Sequence, residues 1–100
     1  MMIRLTIQPE FARAYQQYAD YRPGDTLRLY VRTSGPGTGG LFYAIERDQE
    51  QAGDALFEVE GLRFVIRPAD FWYFDGGSLR YDKRLGEFGF QFDNPKLDQG

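Results

Sequence analysis

The spacing of apolar residues divides the chain into one helical segment and a series of strands. Ile3, Leu5 and Ile7 alternate with polar residues, which predicts a half-buried strand. Pro9 suits the first turn of a helix, where the missing N–H costs nothing. The apolar face of a helix running to about residue 20 follows at helical spacing and comprises Phe11, Ala14, Tyr15 and Tyr18. The sequence therefore predicts one amphipathic N-terminal helix.

After this helix the apolar period becomes two, which is typical of strands. The strands predicted there cover residues 27–31, 41–45, 55–60, 62–67, 78–82 and 87–92, the last with Phe88, Phe90 and Phe92 on one face. Gly61 predicts a tight hairpin, and the aromatic run at residues 71–74 is interpreted as core. The predicted fold class is α+β, mainly β, with about seven short strands in mixed or antiparallel sheets. Residues 1–95 form a single domain in this interpretation, and residues 96–100 form a frayed polar tail.

The amino-acid composition limits which side chains could bind a metal ion or act in catalysis. The 100 residues include no cysteine and no histidine, so neither thiolate nor imidazole is available as a metal ligand or catalyst. The net charge of −3 disfavours nucleic acid as a partner. No apolar run approaches the roughly 20 residues that span a bilayer, and the N-terminus does not resemble a signal peptide. We therefore expect a cytoplasmic protein with no membrane partner.

Three surface features could carry function, and each also has a simpler interpretation. The glycine-rich stretch 35–40 follows a strand, but a strand rather than a helix comes next, so a flexible connection is favoured over a ligand loop. The acidic stretch 48–60 lacks the order of a calcium loop and is interpreted as a solvated face. Strand arginines interleaved with tyrosines could bind nucleic acid, although solvent-facing positions are favoured. No catalytic set is evident, and a carboxylate-based enzyme stays open.

Several segments, taken in order, resemble one known family. Residues 37–43 read Gly-Thr-Gly-Gly-Leu-Phe-Tyr, and residues 58–66 form a predicted hairpin with a similar alternation of apolar and polar positions. Residues 74–76 read Phe-Asp-Gly, and residues 89–95 read Gly-Phe-Gln-Phe-Asp-Asn-Pro. This pattern resembles the HesB/IscA-like domain of A-type iron–sulfur cluster assembly proteins. The Asp-Phe-Trp-Tyr-Phe-Asp-Gly passage at residues 70–76 is similar to the YneR-like branch of small Firmicutes-type proteins, in which cysteines are commonly missing.

The resemblance implies a site as well as a fold. The family holds iron or a cluster through one cysteine in the glycine loop and a Cys-x-Cys pair after Asn-Pro, whereas this chain has Thr38 in the loop and no cysteine after Asn94. No metal site and no cofactor are therefore carried over. In relatives the glycine loop and the segment at residues 90–95 converge, so the expected binding residues are Thr38, Gly39, Gly40, Tyr43, Phe90 and Asn94.

The function implied is non-catalytic binding of a protein or small-molecule partner. Two alternatives are an accessory role in iron–sulfur metabolism without a bound cluster, and a carboxylate-based enzyme or oxygen-ligand metal binder. Aromatic-rich faces, and relatives that associate, favour a homodimer by analogy.

Overall fold

A computed structural model describes residues 3–33 and 41–97 of the chain. Seven strands and two helices occur within them: β1 (Leu5–Ile7), α1 (Pro9–Tyr18), β2 (Thr26–Thr33), β3 (Leu41–Arg47), β4 (Ala55–Val59), β5 (Leu62–Ile66), α2 (Phe71–Phe74), β6 (Gly77–Tyr81) and β7 (Phe90–Asp93). A short 3₁₀ turn, Pro68–Asp70, precedes α2, and a longer one, Lys83–Phe88, separates β6 from β7. We call the latter the 3₁₀ segment. No helix among these residues is long and apolar enough to cross a membrane.

The strands form two sheets. One has the order β3-β2-β5-β4, in which β2 runs antiparallel to β3 and parallel to β5. The other has the order β1-β6-β7, with β1 parallel to β6 and β6 antiparallel to β7. Both sheets are therefore mixed, and each places strands distant in sequence side by side.

Local chemistry explains the two best-defined boundaries. Pro9 occupies the first turn of α1, and the chain leaves the helix after Tyr18, two residues earlier than predicted. Glu60 and Gly61, with φ of 53° and 82°, make the two-residue turn between β4 and β5. Two successive positive φ values give the turn whose twist matches antiparallel strands, so Gly61 closes a tight hairpin as predicted.

The core lies between the two sheets and α1. Phe11 is fully buried and contacts Phe64 of β5, Tyr43 of β3 and Phe90 of β7, with ring centroids 6.2, 6.2 and 5.6 Å away. One helical side chain thus packs against both sheets. The other fully buried large side chains are Phe64, Phe74, Leu27, Leu29, Leu62, Ile66, Leu79 and Val65.

The predicted class, mainly β with seven strands and an N-terminal helix, is confirmed, but the predicted strand at residues 87–92 is wrong in its first half. The 3₁₀ segment occupies that region, and Phe88 is 81% exposed instead of sharing a face with Phe90. Gly86 has φ 58°, and a Cβ at Gly89 would overlap the Asp82 carbonyl, so two glycines turn the chain where a strand would continue. Strand β7 consequently begins only at Phe90.

Candidate functional site

The predicted binding region centres on the place where β3 begins and β7 ends. Tyr73 of α2 links the two strands: its hydroxyl donates to the Leu41 carbonyl at 3.5 Å, and its ring stacks on Phe92 at 5.0 Å. The Asn94 side-chain amide donates to the Tyr73 carbonyl at 2.9 Å. The structure therefore places the start of β3 beside the end of β7, while the glycine loop that precedes β3 lies outside the described residues.

Tyr43 lies in the middle of this region with its ring half-buried. It packs against Phe92 with centroids 6.1 Å apart, and its phenol neighbours that of Tyr15. Burial raises the pKa of Tyr43, and burial together with the neighbouring Tyr43 phenol raises the pKa of Tyr15. Both phenols are therefore neutral at physiological pH, which makes them hydrogen-bonding groups and poor anionic metal ligands.

The Phe90 side chain packs mainly against other aromatic rings of the core. Its ring lies 4.4 Å from that of Tyr15 and 5.0 Å from that of Tyr81, in addition to its contact with Phe11. Aromatic pairs at such separations add stability beyond their buried area. The position of Phe90 thus fixes how β7 lies against α1, at the floor of the candidate site.

Asn94 is buried and its amide is fully engaged by the backbone. It donates to the Tyr73 and Asp75 carbonyls, both at 2.9 Å, and its oxygen accepts from the Lys96 N–H at 3.1 Å. These bonds shape the turn after β7, which includes Lys96 and Leu97 from the predicted tail. A contact between Asn94 and a ligand would have to replace one of these bonds, so its binding role stays a prediction.

Thr38, Gly39 and Gly40, the remaining predicted binding residues, lie outside the described residues. The chain is described again from Leu41, which is 47% exposed, and Phe42, which is 42% exposed. The Phe42 ring lies under the Arg32 guanidinium at 5.8 Å, on the face of β3 opposite that of Tyr43. Sequence reasoning placed this aromatic strand correctly but did not single out its two exposed apolar side chains.

Each carboxylate of the acidic stretch between β3 and β5 lies near an arginine from outside the stretch. Its five carboxylates approach guanidinium groups at 2.7–3.9 Å: Arg63 contacts Glu50 and Glu58, Arg67 contacts Asp48 and Asp54, and Arg13 contacts Glu60. Within residues 3–33 and 41–97, no group of three or more carboxylates is placed to hold a metal ion. The stretch therefore pairs with the protein's own arginines.

Two further strand arginines lie near carboxylates. Arg28 approaches Asp70 at 3.6 Å and Glu46 at 3.8 Å, and Arg80 pairs with Asp93. Guanidinium groups paired with carboxylates offer little net charge to a phosphate backbone. Arg80 faces solvent as expected, whereas the side chains of Arg28 and Arg67 are mostly buried.

The aromatic run of α2 is core at three of its four positions. Phe71, Tyr73 and Phe74 are buried, whereas Trp72 is 52% exposed and lies against a cavity. Sequence reasoning treated the run as a unit and missed this difference. In a helix of four residues one side chain of the four points away from the core, and the composition of the run does not indicate which.

Comparisons with known proteins show a matching family and similar relatives. The family model described as iron–sulphur cluster biosynthesis matches residues 3–100. A Klebsiella pneumoniae protein named "Iron-binding protein IscA" is 37% identical over 87 residues, covering 86% of this chain and 79% of that protein. A Bacillus subtilis protein named "Pyruvate dehydrogenase inhibitor" is 29% identical over 79 residues, covering 77% and 83%.

Solved structures show the same fold. The crystal structure of Escherichia coli SufA, described as involved in biosynthesis of iron–sulfur clusters, superposes with a TM-score of 0.64 at 23% identity, covering 92% of this chain and 81% of that one. A crystal structure of IscA with the [2Fe-2S] cluster gives a TM-score of 0.63 at 21% identity, covering 92% and 86%.

Proposed function

We propose that this chain, which belongs to the iron–sulphur cluster biosynthesis family, acts by binding a protein partner and neither catalyses a reaction nor holds a cluster. The observation that carries the proposal is the exposed apolar pair Leu41 and Phe42, directly after the glycine loop. In the family resemblance that loop supplies an iron-binding cysteine, and here it supplies Thr38. The proposal places the protein in the cytoplasm.

The side chains that could act as ligands support the proposal that the protein holds no cluster. Clusters are held by thiolates, occasionally with imidazoles, and the 100 residues include neither cysteine nor histidine. The phenols of Tyr43 in β3 and of Tyr73, which bonds to the start of β3, have pKa values raised by burial and are neutral. Oxygen ligation by the acidic stretch would require breaking its ion pairs with arginines.

The shape of the surface supports a protein partner. Leu41 and Phe42 lie on an edge strand of the four-stranded sheet and, among the described residues, pair on one side only, with Thr33 and Arg32 of β2. Their side chains project from opposite faces of the strand, so a partner that covers this edge would contact both. The Tyr73 hydroxyl contacts the Leu41 backbone, so the start of β3 is held in place while its side chains remain exposed. Preorganised, exposed apolar side chains are suited to become the desolvated centre of a protein interface.

The name of the Bacillus relative identifies the first partner to test. We expect the purified protein to bind and slow the pyruvate dehydrogenase complex of the organism that encodes it, as measured by NADH formation at increasing protein concentration. A Leu41→Ser/Phe42→Ser double variant should raise the half-inhibitory concentration at least about tenfold, because central apolar contacts dominate interface energy. Both side chains are partly exposed and the Tyr73 hydroxyl bonds to the Leu41 backbone, which the variant retains, so the variant should keep its fold.

Phe88→Ser is the matched control, because it removes an exposed phenylalanine from the 3₁₀ segment, away from β3. Equal inhibition by the wild type, the double variant and the control would contradict the proposed surface. No binding by the wild type would contradict this choice of partner.

The Klebsiella relative favours a second candidate, an accessory role in iron–sulfur metabolism with the cluster held elsewhere. Anaerobic reconstitution with iron and sulfide, followed by gel filtration, tests the part shared by both candidates. We expect the protein to elute colourless. Visible cluster absorbance eluting with the protein would contradict both candidates.

A further inference from the structure

A cavity on another side of α2 has no role in the function proposed above. It measures about 600 Å³ and lies between α2, the loop before β4 and the turn after β7. Its lining residues are Gly53, Pro68, Phe71, Trp72, Asp75 and Lys96. The size is typical of cavities that enclose a small molecule, roughly 300–1,000 Å³.

The walls of the cavity are mainly apolar. Phe71 is buried, whereas Trp72 leaves 52% of its surface exposed. The indole ring of Trp72 stands against Tyr73 edge-on, with centroids 5.7 Å apart, so its position is set by a buried neighbour. An exposed but well-supported tryptophan offers a large flat contact area at little entropic cost.

The polar rim consists of one ion pair. The Lys96 ammonium lies 3.3 Å from Asp75 Oδ2, while Asp75 Oδ1 accepts from the Arg4 backbone N–H at 2.8 Å. Both oxygens of the carboxylate are therefore occupied, whereas an ammonium has three donors and Lys96 uses one of them among the described residues. The Arg4 backbone N–H and, after it, the Lys96 ammonium lower the pKa of the Asp75 carboxyl group.

Lys96 is held at the rim by its backbone. Its N–H donates to Asn94 Oδ1 at 3.1 Å, and the Leu97 N–H donates to the Asn94 carbonyl at 3.0 Å. Asn94 is itself fixed to the backbone of Tyr73 and Asp75. The half-exposed ammonium therefore lies at the rim of an apolar cavity, on a turn fixed by the buried Asn94.

We propose that this cavity binds a small carboxylate with an apolar body, such as an aromatic acid, whose ring packs on Trp72 and whose carboxylate accepts from Lys96. Among the described residues the Lys96 ammonium makes one hydrogen bond, whereas both oxygens of Asp75 are occupied, and this difference favours a monoanion over a neutral or cationic ligand. The apolar walls favour a hydrocarbon body over a sugar or nucleotide. This proposal does not depend on the protein surface at β3, and either can fail without the other.

Trp72 is the only tryptophan of the chain, so its fluorescence reports on the cavity directly. We expect phenylacetate to change this fluorescence saturably, phenylacetamide to bind about tenfold more weakly through loss of the charged hydrogen bond, and phenethylamine to bind more weakly still. Equal affinity for phenylacetate and phenylacetamide would overturn the proposal. So would the absence of a saturable change up to about 10 mM, a concentration that already allows for very weak binding.

Variants of the two lysines separate the site from general charge effects. Lys96→Gln should weaken phenylacetate binding about tenfold and Lys96→Arg should restore most of it, because a charged donor is the group required. Lys83→Gln, at the only other lysine, removes the same charge from the 3₁₀ segment and should leave the affinity unchanged. Equal losses in Lys96→Gln and Lys83→Gln would overturn the proposal.

Amide chemical shifts provide a second readout that does not depend on fluorescence. Addition of phenylacetate should shift the amide signals of Gly53, Trp72 and Lys96 in the wild type. Shifts confined to other parts of the molecule would overturn the assignment to this cavity.

Discussion

At the scale of single residues, Asn94 illustrates how one side chain can hold a region together. It is buried, and its amide group joins the backbone of α2, the turn after α2 and the turn after β7. Buried polar groups of this kind are stabilising mainly because their partners would be unsatisfied without them.

We predict that Asn94→Ala lowers the free energy of unfolding by about 2–4 kcal/mol, because two buried carbonyl oxygens lose their donor. Asn94→Asp should cost at least as much at neutral pH, since a carboxylate only accepts and would face the Tyr73 and Asp75 carbonyls. Urea denaturation measures both effects, with Gln49→Ala in an exposed loop as the control. A change below about 0.5 kcal/mol for Asn94→Ala, the range of ordinary surface substitutions, would contradict this role.

The sequence predicts where Asn94 lies but not what it does. The family motif places it near Tyr43 and Phe90, and the structure shows these residues in one neighbourhood through Tyr73 and Phe92. The hydrogen-bond partners of Asn94 lie 19 and 21 residues earlier in the chain, and no spacing rule predicts such a pairing. A residue singled out for binding therefore also has a clear structural role.

At the scale of elements, the loop between β3 and β4 is held to the sheet by arginines that follow it. Arg67, just after β5, contacts Asp48 at 3.1 Å and Asp54 at 3.8 Å. The Asp54 side chain is only 1% exposed, so its carboxylate relies on this neighbour for compensating charge. The ion pair thus fixes a loop of acidic composition against the protein.

We predict that Arg67→Ala destabilises the protein by about 3 kcal/mol, because it leaves a buried carboxylate without its cation. A double variant that adds Asp54→Asn should recover part of the loss, which a double-mutant cycle of urea denaturation would measure. Arg84→Ala is the control, since Arg84 is 85% exposed beside Asp82 and such pairs contribute no more than about 1 kcal/mol. Equal losses in the two arginine variants would contradict the structural role of Arg67.

The 3₁₀ segment is the element that the sequence predicts least well. Phe88, Phe90 and Phe92 have the period of a strand, and a prediction from periodicity gives this pattern more weight than Gly86 and Gly89. The structure instead follows local bonds: Asp82 accepts from the Arg84 N–H, and the Tyr81 hydroxyl donates to the Gly86 carbonyl at 2.8 Å. The hairpin at Gly61 is predicted correctly because its signal is a tight turn between two clear strands.

At the scale of the whole molecule, ionised carboxylates set how stability responds to acid. The Arg84 side chain and backbone lower the pKa of Asp82 to about 2 from the usual 3.8. Hydrogen bonds from the Gln49 backbone and the Arg67 side chain lower that of Asp48. A lowered folded-state pKa gives stability that is fully present above the unfolded value and is lost as the pH falls through the folded value.

We therefore predict that the midpoint of urea denaturation falls as the pH is lowered from about 4 to about 2, the window between the unfolded and folded pKa values. Asp82→Asn should make this fall shallower, and Arg84→Ala should do so to a smaller extent, because it removes the side-chain bonds and keeps the backbone N–H that donates to Asp82. The double variant should behave like Asp82→Asn. Parallel curves for the wild type and Asp82→Asn would contradict the assignment.

The parallel pairing of β1 with β6 has a consequence for how the chain folds. Leu5 lies opposite Gly77, and the Arg4 backbone bonds to Asp75, a residue 71 positions away. Contacts of such high contact order form late, because a long loop must close before they stabilise anything. During synthesis β1 stays unpaired until β6 has left the ribosome, whereas the four strands β2 to β5 can already associate. A nascent chain that stalls near residue 74 would thus expose β1 and part of α1, and we expect this intermediate to be the most prone to aggregate.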